Sequence, residues 1–79
     1  MTVVKTLKQA IMLHQTGHLE NAEQLYRNIL QTDPENSDAN HNLGLLMMQQ
    51  DQTDDALVFF TTALNASPNS ILFWVSYID

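Results

Sequence analysis

The chain has 79 residues and no cysteine, and its nine acidic and three basic side chains leave a net charge of -6. That is room for one small domain, whose core supplies only ~3–5 kcal/mol without staples; disulfides and thiolate metal sites are excluded, which fits a reducing, cytoplasmic setting. Nucleic acid is excluded as a partner, because a phosphate-binding surface needs clustered cations and Lys5, Lys8 and Arg27 are scattered.

The first element is a helix over Val3 to Gln15, with Val3, Leu7, Ala10 and Ile11 at helical spacing. Lys5 and Lys8 interrupt its apolar pattern, so it reads neither as a signal peptide nor as part of the ~20-residue apolar run of a membrane span. An acidic surface suits anionic lipid no better. Gly17 supplies the left-handed conformation that ends a helix. A second helix starts at or beside His18, with Leu19, Ala22, Leu25, Tyr26, Ile29 and Leu30 on one stripe, and Pro34 stops it. Asn36 and Ser37 are N-caps for a third helix running to about Gln50. Gly44 in its middle costs ~1 kcal/mol relative to alanine, and its use is close approach to a partner helix. Asp51 stands where Gly17 stood, less comfortably because of its Cβ. Thr53, Asp54 and Asp55 open a fourth helix that Pro68 closes. Asn69 and Ser70 cap a fifth, ILFWVSYID.

Sliding the chain over itself by the distance from Pro34 to Pro68 superimposes Gln15 on Gln49, Ala22 on Ala56 and Leu30 on Leu64. Ala10 then meets Gly44, and Tyr26 meets Phe60. A helical repeat of about 34 residues marks a tetratricopeptide array. On these residues, with the Asn42-Leu43-Gly44 triplet and Trp74, the chain resembles the tetratricopeptide repeat family over essentially its whole length. Gln9 and Asp51 depart from the family pattern. The resemblance implies an all-α fold: helix-turn-helix repeats stacked as a short right-handed α-solenoid of five helices. Repeat 1 covers residues 3–36 and repeat 2 covers 37–70, with 71–79 as the first helix of a partial third. Two antiparallel helices approach closely only where small residues face each other, so Ala10 is expected against Ala22 and Gly44 against Ala56.

No catalytic constellation emerges. His14 and His18 have metal-ligand spacing, but Gly17 breaks the helix between them and no HExxH glutamate follows; they read as solvated turn and surface histidines. Asp51, Asp54 and Asp55 lack the glycine and terminal glutamate of a calcium loop. Ser37, Ser67 and Ser70 read as caps. Nothing here implies an enzyme, a metal or a cofactor.

In the family the first helix of each repeat lines a concave face that holds peptides. That implies a groove of Leu7, Lys8, Ile11 and His14 from repeat 1 and of His41, Asn42, Leu45, Met48 and Gln49 from repeat 2. Of the carboxylate clamp of chaperone-binding members only Asn42 survives, so that role is not implied. An asparagine there resembles the ladder of glycosyl-transferring arrays, whose amides both donate to and accept from a peptide backbone. The expected function is non-catalytic protein–protein recognition or scaffolding. The alternative is an accessory segment of a larger enzyme, as in bacterial glycosyltransferase- or sulfotransferase-like proteins. Phe73, Trp74, Tyr77 and Ile78 are too apolar for a tail, so a homodimer through the C-terminal helix, with Leu72, Phe73, Val75 and Ile78 as its self-association residues, is a further expectation.

Overall fold

The computed structural model describes residues 2–70. They form four α-helices and no strand: α1 (Thr2–Gln15), α2 (Leu19–Thr32), α3 (Ser37–Gln49) and α4 (Thr53–Ala66). The expected fifth helix, with Leu72, Phe73, Val75 and Ile78, lies outside the described residues.

The breaks fall where backbone chemistry dictates. Gly17 has φ +87° with nothing within 4 Å of where a Cβ would stand, so conformation rather than space selects glycine there. Asp51 takes the equivalent position at φ 60°, with a side chain that the left-handed region tolerates only moderately. Asn36 caps α3, its side-chain oxygen accepting from Ala39 N–H at 2.9 Å. Neither α2 nor α4 has a side-chain cap; their first turns carry Glu20 and Asp54 with Asp55, which the helix dipole favours. The helices end at Thr32 and Ala66, each two residues before its proline, because a residue preceding proline is pushed out of helical geometry.

α1 packs chiefly on α2 and α3 on α4, and α2 also packs on α3. One core runs through all four helices, built of Ala10, Ala22, Tyr26, Leu43, Leu46, Met47, Ala56 and Phe60. Ala22 and Tyr26 of the α2 stripe and Ala56 and Phe60 of α4 point into it; Ile29 is also buried on α2, and Ala63 and Leu64 form a second, smaller buried cluster on α4.

The close approach of α3 to α4 differs from expectation in one contact. A Cβ at Gly44 would stand 2.5 Å from Phe60 Cε1 and 2.6 Å from Cδ1, with Cζ at 3.2 Å. The three atoms nearest to that position all belong to the ring of Phe60. Side chains on a helix lean toward its N-terminus, so the aromatic one turn beyond Ala56 sweeps back across this space.

Two polar contacts close the loop ends. The buried Asn40 donates from Nδ2 to Pro34 O (3.0 Å) and Asn36 O (2.9 Å), tying the α2–α3 turn to α3. Ser37 Oγ and Ser67 Oγ are 2.6 Å apart, which joins the start of α3 to the end of α4.

Gly44→Ala is expected to lower stability by about 1–3 kcal/mol through overpacking against Phe60, despite alanine's better helix propensity. Gly44→Ala with Phe60→Leu recovers part of the loss, and urea unfolding of the two variants measures it. Asp51→Gly, which relieves the left-handed side chain, raises stability by about 0.5–1 kcal/mol in the same assay.

Candidate peptide-binding groove

The residues expected to line a groove lie on α1 and α3, which also touch each other. Leu7, Ile11 and Leu45 are half-buried and pack against the core from outside. Lys8 and Gln49 are exposed, Asn42 is half-buried, and Met48 is 39% exposed. Apolar surface of α1 and α3 is thus left partly exposed at Leu7, Ile11 and Leu45, and more so at the flexible thioether of Met48. His41 differs from its companions: it is only 4% exposed. Its ring is tilted against Phe60 at a centroid distance of 5.9 Å.

His14 is not the solvated histidine that the sequence suggested. It is half-buried in the last turn of α1, and both ring nitrogens are engaged. Nδ1 lies 3.2 Å from the hydroxyl of Tyr26 on α2, and the two rings meet edge to face at 6.0 Å. Nε2 contacts Oε1 of Gln49, at the end of α3. Three helices thus converge on one imidazole. Tyr26 is completely buried, and burial pushes its phenol up to about 12, so the hydroxyl stays protonated over the whole physiological range. His18, the other member of the expected pair, is exposed, with Nδ1 2.9 Å from Thr16 Oγ1. Among the described residues no three His, Asp or Glu side chains gather into a metal-binding set.

The face made by α2 and α4 has a different character. Arg27 pairs with Glu23 at 2.8 Å and lies over the Phe59 ring, 5.7 Å from its centroid. Leu57 and Val58 of α4 are 44% and 62% exposed. Single exposed apolar side chains of this kind are ordinary surface.

Sequence reasoning missed the His14–Tyr26–Gln49 chain and the Asn40 latch. Gln49 lies 35 residues from His14, beyond any local spacing rule. The latch had a visible signal, an asparagine four residues after the N-cap Asn36, which is within reach of a helix-start carbonyl.

Burial holds the His41 imidazole below the ordinary value of 6.5, opposed by nearby Asp38. The unfolded chain therefore takes up this proton first. The stability attached to His41 is full above the unfolded value and is lost as pH falls through it toward the folded one. Thermal midpoints are expected to fall between about pH 7.5 and 5.5, and less steeply in His41→Gln.

No described helix is long and apolar enough to cross a membrane. None of the curated proteins matches the chain. The family model described as tetratricopeptide repeat matches residues 13–74, from the end of α1 past the end of α4. The match covers α2, α3 and α4 in full and the two prolines one repeat apart, and the chain belongs to the tetratricopeptide repeat family.

Proposed function

We propose that the chain is a non-catalytic recognition or scaffolding module that takes a partner's peptide on the α1–α3 face. Repeats of this family generally mediate protein–protein interaction. The observation that supports this face is the partly exposed apolar floor of Leu7, Ile11 and Leu45, continued by Met48 and interrupted by the amide of Asn42. An apolar strip with a few convergent polar groups suits a segment laid across helices. The proposal includes the repeat boundaries 3–36 and 37–70, a right-handed stack, and residues 71–79 as the opening of a third repeat. It also includes pairing of two copies through Leu72, Phe73, Val75 and Ile78.

Peptides selected from a random display library test the reading. Titrated into the isotope-labelled protein, they are expected to shift the amide signals of Leu7, Ile11, Asn42, Leu45 and Met48. Met48→Asp, a change at an exposed position, is expected to weaken binding about tenfold. Shifts confined to α2 and α4 would overturn the assignment of the face.

A further inference from the structure

The two partners of the His14 imidazole favour one placement of its proton. Oε1 of Gln49 can only accept, so Nε2 must donate to it. In a neutral ring Nδ1 is then an acceptor, and the Tyr26 hydroxyl donates to it at 3.2 Å. Tyr26 has no exposed surface, and an unmet buried hydroxyl costs about 1–3 kcal/mol. Turning the tautomer round would incur that cost at Tyr26 and would also set an acceptor on Nε2 against the acceptor on Gln49.

The two partners differ in permanence. Tyr26 is locked in the core, while Gln49 is an exposed side chain in the last turn of α3, free to swing into water at little cost. Both His14 and Gln49 fall among the residues of the proposed groove. We infer that His14 Nε2–H is a pre-set hydrogen-bond donor of the groove, fixed by Tyr26 and satisfied by Gln49 in the free protein, and that a backbone carbonyl of a bound peptide takes the place of Gln49. The donor site rests on geometry alone; the occupant rests on the groove reading above. A carbonyl fits better than a carboxylate, because a chain of net charge -6 repels an anionic ligand. One period on, Met48 and Phe60 replace His14 and Tyr26, so the donor belongs to repeat 1 and not to repeat 2, which makes the two halves of the groove unlike.

Two measurements test this separately. Long-range proton–nitrogen correlation on the labelled protein is expected to show His14 in the Nε2–H form at neutral pH. Gln49→Ala should keep that form, since Tyr26 still donates to Nδ1, while Tyr26→Phe combined with Gln49→Ala, which removes both partners, should lower its share. An Nδ1–H form in the unaltered protein would overturn the donor. For the occupant, library-selected peptides that perturb Leu45 and Met48 are measured against Gln49→Ala and His14→Phe. Removing the internal competitor is expected to tighten binding about 5-fold, and removing the donor to weaken it about 5-fold. Unchanged affinity in both variants would overturn the exchange even with the tautomer in place. Peptides that perturb only α2 and α4 would overturn the groove reading and the exchange together, leaving the donor to be judged by its tautomer.

Discussion

The distance between α3 and α4 is set by a single ring: Phe60 occupies the space that any side chain at Gly44 would need. Everything in the second hairpin follows from that contact. Ala56 is fully buried in the same core, and Leu43, Leu46 and Met47 fill the remainder of it. His41, one turn before Gly44 on α3, lies against the same ring. Interiors at crystal-like packing density leave no slack for a methyl group at such a point.

In the first hairpin the same two positions hold Ala10 and Tyr26, and the change from phenylalanine to tyrosine has a chemical corollary. A buried hydroxyl requires a partner, and the chain supplies His14. The second hairpin, with Phe60, has methionine in that place. The exchanges are matched: polar with polar in one repeat, apolar with apolar in the next. Because the imidazole also reaches Gln49, the polar version touches the second hairpin as well as the first. A one-dimensional stack depends on such neighbour terms for its stability.

The helix boundaries were legible because each is a local matter: Gly17, Pro34, Asp51 and Pro68 act on their own backbone or that of the preceding residue. The buried stripes were legible from their period. Gly44 was recognised as a point of close approach, but its neighbour was assigned to Ala56, since residue identity does not reveal how far an aromatic ring sweeps along a helix. The groove was legible only in part. Leu7, Ile11, Leu45 and Met48 follow from register on α1 and α3, whereas the burial of His41 depends on a ring from α4. The engagement of His14 depends on two other helices at once. Residues whose surroundings come from three elements are beyond what spacing along one can show.

Arg27 carries a consequence of another kind. No lysine or arginine follows it among the 79 residues, so trypsin has no site in the second hairpin and the bond after Arg27 is the last it can cut before that hairpin. That bond lies in the middle of α2, beside a guanidinium held by Glu23 and stacked over Phe59 from α4. A protease needs an extended, unwound segment, so cleavage there requires α2 to open and to let go of its neighbour. Slow tryptic digestion of the native protein would therefore act as a clock for the parting of the two hairpins. It would release the second hairpin with the residues beyond it as one uncut piece.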